Sequence, residues 1–232
     1  MRYAVIIPAA GSGSRMGAAV PKVLLHCDEE RALSILRLTV TRFHDEPDCE
    51  RVVVCVPEAW KEAFASDLAG LPKTRIILGG SSRQESVYNG LQALADEERR
   101  DMDTVVLVHD AARCCVTPDV IRRVVDGVAR HGAVTAAVPV VDSLCRAEDA
   151  TIQGYVDRER VWAIQTPQGA LLGELVEAHR QAKEAEIEAL DDAGLVARIR
   201  PVQVVEGDRM NIKVTQPGDL EIARLVLRGR SA

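Results

Sequence analysis

Five short apolar runs recur along this chain, at residues 3–7, 52–56, 75–78, 104–108 and 133–141. They are rich in β-branched residues and nearly unbroken in hydrophobicity, the pattern of strands buried on both faces. Each of the first four is followed by a segment with helical spacing. In residues 82–95, Val87, Leu91 and Leu94 recur at steps of three and four, and Ser82 with Glu85 forms a capping box. Thr117 caps the next helix, Pro118 opens it, and Val120, Ile121, Val124, Val125 and Val128 give its apolar face. Strand alternating with helix predicts an α/β domain with a parallel sheet, and right-handed crossovers place helices on both faces. At 232 residues the chain is near the upper end for one domain, so 1–232 is read as a single unit.

Residues 142–162 break this rhythm. They are polar, weakly periodic and split by Gly154. A stretch of that length without structure is uncommon inside a compact domain, so it is expected to form an extended arm, a hairpin outside the main sheet. Helical spacing resumes over residues 169–188, a last strand is expected at 200–205, and a C-terminal helix at 217–228.

The first strand empties into Pro8-Ala9-Ala10-Gly11-Ser12-Gly13-Ser14-Arg15-Met16-Gly17, with Pro21-Lys22 shortly after. Gly11, Gly13 and Gly17 lack Cβ atoms, so the backbone can turn sharply and aim N–H groups at an anion. Arg15 and Lys22 add full positive charges. It is not a dinucleotide fingerprint, because the third glycine position, counted from Gly11, holds Met16. Nor is it a Walker A loop, because Lys22 lies between Pro21 and Val23. The alternative is an ordinary strand-to-helix turn with solvated cations; two cations within a glycine loop favour a polyphosphate site.

Ligands of open α/β sheets bind outside the carboxyl ends of the strands. Three further clusters belong at that edge. Gly79-Gly80-Ser81-Ser82-Arg83 opens a capped helix, so its N–H groups are expected to face outward, and Ser86 lies one turn on. His109-Asp110-Ala111-Ala112-Arg113 follows the fourth run, and Asn211-Ile212-Lys213-Val214-Thr215 precedes the last helix. Asp110 suits a hydrated Mg²⁺, a ribose hydroxyl or a solvated turn. Arg113 either binds phosphate or pairs with Asp110, the second being favoured. His109 has no nucleophile nearby to activate, so a hydrogen-bonded core histidine is favoured over a general base. Thr166, in Gln165-Thr166-Pro167-Gln168, either contacts phosphate or caps the next helix. Ser143 and Arg158 lie in the arm, where a second phosphate-bearing substrate would need a cation.

Composition bounds the function. A formal net charge of −6 argues against a nucleic-acid binder, and no apolar run is long enough to cross a membrane. Six cysteines without a C-x-x-C pair read as reduced thiols, with adjacent Cys114 and Cys115 as packing residues, and the cytoplasm is the expected compartment. A dinucleotide-dependent dehydrogenase would need a third loop glycine and an acidic residue closing the second strand, which ends at Val56-Pro57. A non-catalytic nucleotide-sensing module stays open as an alternative.

Taken together, these motifs resemble the 2-C-methyl-D-erythritol 4-phosphate cytidylyltransferase family of the non-mevalonate isoprenoid pathway. The carriers are the segments 8–17 and 21–22, Gly79-Gly80 through Arg83 to Ser86-Val87, Val108 to Arg113, Val156-Asp157-Arg158, 165–168 and 211–215, in that order over nearly the whole chain. The resemblance implies a Rossmann-like nucleotidyltransferase that uses CTP, a sugar-alcohol phosphate and Mg²⁺. It implies that Arg15 and Lys22 clamp the triphosphate with help from Lys213. Ala9, Ala10, Gly11 and Gly13 would cradle the nucleotide, and Gly80, Ser81 and Ser86 would hold the cytosine. Asp110 would serve ribose or metal. Ser143, Arg158 and Thr166, with Arg113 as a further candidate, would grip the acceptor. It also implies a homodimer with crossed arms, Ser143 and Arg158 acting in the neighbour's site. A sister enzyme using ribitol 5-phosphate shares most of these motifs. Ser143 stands where threonine is usual, and Cys114 where proline is. The chemistry agrees: a phosphate monoester is already anionic at pH 7, so the reaction needs alignment and positive charge rather than a base.

Overall fold

In the computed structural model, which describes residues 1–11, 20–28, 30–97 and 101–231, strands and helices alternate through most of the chain. In order they are β1 (Tyr3–Pro8), β2 (His26–Asp28), β3 (Leu33–Ser34), α1 (Ile35–His44), β4 (Cys49–Val56), α2 (Lys61–Asp67), β5 (Thr74–Leu78), α3 (Arg83–Ala95), β6 (Val105–Val108), α4 (Pro118–His131), β7 (Ala133–Pro139), β8 (Leu144–Glu148), β9 (Thr151–Val156), β10 (Trp162–Leu171), α5 (Leu172–Glu184), α6 (Asp192–Val196), β11 (Gln203–Glu206) and α7 (Pro217–Ser231).

The expected alternation of buried runs holds. Seven strands form one sheet in the order β11-β7-β10-β6-β1-β4-β5. β1 pairs in parallel with β4 and β6, β4 with β5, and β11 with β7. Successive residues of β1 point to opposite faces. Tyr3, Val5 and Ile7 join a core that includes Leu36 and Val40 of α1, Phe64 of α2 and the apolar stripe of α4. Ala4 and Ile6 join a second core with Val87, Leu91 and Leu94 of α3 and Leu172 and Leu175 of α5. Helices therefore cover both faces. The caps are those read from sequence: Ser82 Oγ accepts from Glu85 N, and Thr117 Oγ1 from Val120 N, with Pro118 in the first turn.

Two elements depart from expectation. Residues 169–171 are strand, not the start of a helix, and α5 begins at Leu172. β10 is inserted antiparallel between β6 and β7. Its middle, Gln165-Thr166-Pro167-Gln168, is polar and contains a proline, which removes a ladder donor. The pairing with β7 shifts register between Ile164 and Gln168. The polar residues thus occupy an irregularity where the ladder makes no demand on Pro167. The last strand also starts later than expected, at Gln203.

The segment after β7 is a hairpin in a sheet of its own, β8 with β9. Two residues, Asp149 and Ala150, turn it, both with positive φ, the backbone of a turn whose twist matches the strands. Nearly all its side chains are exposed. Finally, α7 packs Leu220, Ala223 and Leu227 against Cys27, Cys114, Cys115 and Val214. Cys114 and Cys115 are fully buried packing residues, and all six cysteines are free thiols. Among the described residues no helix is long and apolar enough to cross a membrane.

Candidate functional site

The carboxyl ends of β1 and β6, the amino end of α3 and the loop before α7 enclose a cleft of about 510 Å³. Each wall has a local cause. β1 continues past Pro8 with Ala9 N bonded to Cys55 O at 2.8 Å, which carries Ala10 and Gly11 to the rim. A short 3-10 turn, Lys22–Leu24, returns the chain, burying Val23 and leaving Lys22 on the cleft. Val214 N donates to Ala112 O at 2.8 Å and Arg113 Nη1 to Asn211 O at 2.7 Å, so the loop that carries Lys213 is pinned to the one that carries Asp110. Lys22 Nζ donates to Val214 O at 2.9 Å, tying the two cationic segments together.

The cleft gathers Ala9, Ala10, Gly11, Lys22, Gly80, Ser81, Ser86, Asp110 and Lys213, the residues that sequence reading placed around a nucleotide. Gly13 and Arg15 lie outside the described residues.

Asp110 is the hub. Arg83 Nε approaches Oδ1 at 3.1 Å, Lys213 Nζ approaches Oδ2 at 2.9 Å, and Arg113 Nε lies 3.5 Å from Oδ2. Burial alone would raise the carboxyl, but Arg83 and Lys213 outweigh it and hold Asp110 well below the usual carboxylate range. The solvated-turn alternative is thereby removed, and Arg113 takes the carboxylate-pairing place favoured from sequence.

Behind Asp110 runs a buried polar chain. Asp110 N donates to Thr166 Oγ1 at 3.0 Å, and Thr166 Oγ1 lies 3.0 Å from His109 Nδ1. His109 Nε2 is 3.2 Å from the Arg113 carbonyl, which can only accept, so Nε2 carries the proton and Nδ1 accepts from Thr166. Burial pushes His109 down to about 4, so the ring is neutral at physiological pH. His109 is therefore the hydrogen-bonded core histidine expected. Thr166 neither caps a helix nor lines the cleft; it supports Asp110 from within β10.

Ser86 lines the cleft and is 1% exposed, which removes the helix-surface alternative. One feature was read incorrectly. The amides of the Gly80-Ser81 turn do not point outward: Gly80 N donates to Ser86 Oγ at 3.0 Å, and Ser81 N to Glu85 Oε2 at 2.7 Å. Glu85 thus reaches back to Ser81 rather than Ser82, one residue beyond a regular capping box.

Sequence reading missed Asp192. It is fully buried, forms an ion pair with Arg83 Nη1 at 2.8 Å and is hydrogen-bonded to His179 Nε2 at 3.1 Å. Arg83 and His179 hold it below the ordinary range against its burial. Arg83 therefore bridges two carboxylates, Asp192 behind and Asp110 at the cleft. The only local signal was Asp191-Asp192, of which Asp191 caps α6.

Ser143 and Arg158 do not join this cleft's described lining. Both are exposed, at the base of the hairpin, and Arg158 Nη1 donates to Val141 O at 2.9 Å.

The donor set limits what a metal can do here. Among the described residues, no three His, Cys, Asp or Glu side chains gather to hold an ion. Asp110 is ionised, as a Mg²⁺ ligand must be, but three cations share its oxygens. The residues fit an ion held mainly by phosphate oxygens and water, with one protein carboxylate at most.

The model of the family described as IspD, 2-C-methyl-D-erythritol 4-phosphate cytidylyltransferase, matches residues 3–229. A protein of that name from Geobacillus kaustophilus (strain HTA426) is 39% identical over 236 residues, covering 100% of both chains. Another, from Trichormus variabilis (strain ATCC 29413 / PCC 7937), is 40% identical over 232 residues, covering 97% of this chain and 98% of its own. The crystal structure of 2-C-methyl-D-erythritol 4-phosphate cytidylyltransferase from Thermus thermophilus superimposes with a TM-score of 0.81 at 34% identity, covering 98% of this chain and 100% of that one. With the family model matched over residues 3–229 and relatives near 40% identity aligned over nearly their full length, the chain belongs to the 2-C-methyl-D-erythritol 4-phosphate cytidylyltransferase family.

Proposed function

We propose that the cleft between β1, α3 and the loop before α7 is where this nucleotidyltransferase moves a cytidylyl group from CTP to 2-C-methyl-D-erythritol 4-phosphate in the non-mevalonate pathway. An acceptor phosphate oxygen attacks the α-phosphorus, the bond to the β-phosphate oxygen breaks, and pyrophosphate leaves. The observation that carries this reading is the convergence of Lys22 and Lys213 on one rim, beside the Gly80–Ser86 turn. In a chain with net charge −6, such a rim is a local site for an anion.

The roles follow from charge and position. Lys22, with Arg15, offsets the triphosphate, and Lys213 stands where charge grows on the α-phosphate and its leaving group. Ala9, Ala10, Gly11 and Gly13 shape the backbone around the nucleotide, and Gly80, Ser81 and Ser86 face the base. The acceptor enters on the side of Asp110 and Arg113, with Thr166 holding that wall. Among the described residues Asp110 is the side chain that would hold Mg²⁺ brought by the triphosphate, and the ion would offset part of the charge of the two anions.

The hairpin is read as a dimerisation arm that carries Ser143 and Arg158 into a second copy's cleft. Val141, Ile152, Tyr155, Trp162 and Ile164 are exposed on it or on the adjoining start of β10. A two-stranded hairpin is barely stable alone, and such apolar side chains call for a covering surface. The cytoplasm is the compartment that suits six free thiols. Neither nucleic acid nor membrane is a partner in this reading.

The test is pyrophosphate release from the four nucleoside triphosphates with methylerythritol phosphate and ribitol 5-phosphate as acceptors. CTP with methylerythritol phosphate is expected to be fastest. Preference for ribitol phosphate would overturn the acceptor, and CTP binding without pyrophosphate release would make this a sensing module.

A further inference from the structure

The Gly80–Ser86 turn offers the cleft two serine hydroxyls whose protons are already spent. Ser86 Oγ donates to Ser82 O at 2.8 Å and accepts from Gly80 N at 3.0 Å. Ser81 Oγ lies 2.7 Å from Glu85 Oε2, and Ser81 N donates to the same oxygen at 2.7 Å. Those two bonds hold the Glu85 carboxyl below its ordinary range, so it is ionised at neutral pH. An ionised carboxylate has no proton to give, so Ser81 is the donor of the hydroxyl pair. What remains on each serine oxygen is lone pair.

The contact is built into the turn. A Cβ on Gly80 would fall 2.3 Å from Glu85 Cγ, so the Glu85 stem lies across a backbone position that only glycine leaves open. Glu85 does not line the cleft; it reaches the cleft through Ser81.

We infer that Glu85 is a positioning residue for base selection, which turns the Ser81 hydroxyl into an obligate acceptor toward the cleft. A base edge with an exocyclic amino group then meets oxygen lone pairs, whereas one with a carbonyl there sets lone pair against lone pair. Among pyrimidine nucleoside triphosphates this selects cytosine over uracil. Sites that pair a polar group on the substrate discriminate far more strongly than apolar pockets of the same shape. The inference rests on the reading above that the base lies against this turn.

The test measures kcat/KM for CTP and for UTP in the wild-type chain, Glu85→Met, Glu85→Ala and Glu85→Gln, with thermal unfolding as the folding control. Glu85→Met keeps a stem over Gly80 and leaves only a weak thioether acceptor; Glu85→Ala removes stem and acceptor together, and either variant alone suffices. The CTP/UTP ratio is expected to fall by about tenfold or more in both, the scale of one mismatched hydrogen bond. Glu85→Gln, whose amide oxygen accepts from both Ser81 groups, is expected to keep the ratio within about threefold of wild type. A ratio unchanged in the Met and Ala variants overturns the inference while leaving CTP use intact, even if both rates drop together. A Gln variant as unselective as the Met variant also overturns it, because charge rather than hydroxyl direction would then be at work. A wild-type chain that uses UTP as well as CTP removes the underlying base placement instead.

Discussion

Lys213 Nζ stands 2.9 Å from Asp110 Oδ2, so a cation proposed to meet the triphosphate is held in advance by a carboxylate. Asp110 also holds Arg83 and Arg113. Removing Lys213 therefore leaves the buried charge compensated, and the fold should survive. Lys213→Ala is expected to lower kcat by about 10²–10³, the scale of losing one preorganised charge contact, with little change in thermal midpoint. Lys22→Ala has the same expected size. Pyrophosphate release under saturating CTP measures both, and a turnover within about threefold of wild type would remove either lysine from the clamp.

Thr166 satisfies two buried groups at once, the Asp110 amide and His109 Nδ1. Thr166→Val fills the same volume and leaves both unpaired. The expected cost is about 1–3 kcal/mol of stability, together with a raised KM for the acceptor as Asp110 loses its support. Thr166→Ser keeps the hydroxyl and should restore most of both. Denaturant unfolding and acceptor titration report the two effects separately. Equal KM values in the Val and Ser variants would mean that the hydroxyl does nothing for the site.

His109 supplies a pH dependence with a defined sign. Its folded value is about 4, below the ordinary 6.5, so burial favours the neutral ring. The stability tied to that neutral ring is fully present above pH 6.5 and is lost as pH falls toward 4, by on the order of 3 kcal/mol in total. Thermal midpoints measured across that window should decline, and His109→Gln, which carries no titrating ring, should flatten the decline. Parallel curves for the two proteins would show that some other group governs it.

The arm lends itself to mixing. If Arg158 serves the neighbouring copy, Lys22→Ala and Arg158→Ala chains are each inactive, yet a hybrid dimer has one intact site. Random exchange should then restore about a quarter of wild-type activity. No recovery despite demonstrated exchange of subunits would assign Arg158 to its own chain's cleft.

What could be read in advance was local. Buried runs, helix caps and the order of loops along the strand ends depend on neighbours in sequence, and β1, β4, β5, β6 and β7 sit where their apolar runs predicted. β10 stayed hidden because its polar middle, with Pro167, lies in an irregularity that contradicts the strand pattern. The Arg83–Asp192 pair stayed hidden because it joins positions 109 residues apart, and no spacing rule links them. Ser86 was placed at the nucleotide by its motif, but the bond from Gly80 N that fixes its hydroxyl has no sequence signal. The cationic residue most prominent in the glycine loop, Arg15, lies outside the described residues, so the described clamp rests on Lys22 and Lys213.

The antiparallel course of β10 has a mechanical consequence. One end of this strand, Trp162 to Ile164, leaves the hairpin and pairs with β7, and the other is held between β6 and β7 through Gln168 to Ala170. Thr166 sits between these two fastenings, beneath Asp110. One strand thus joins the outlying ribbon to the floor of the cleft, so whatever seats the ribbon also bears on where that floor lies.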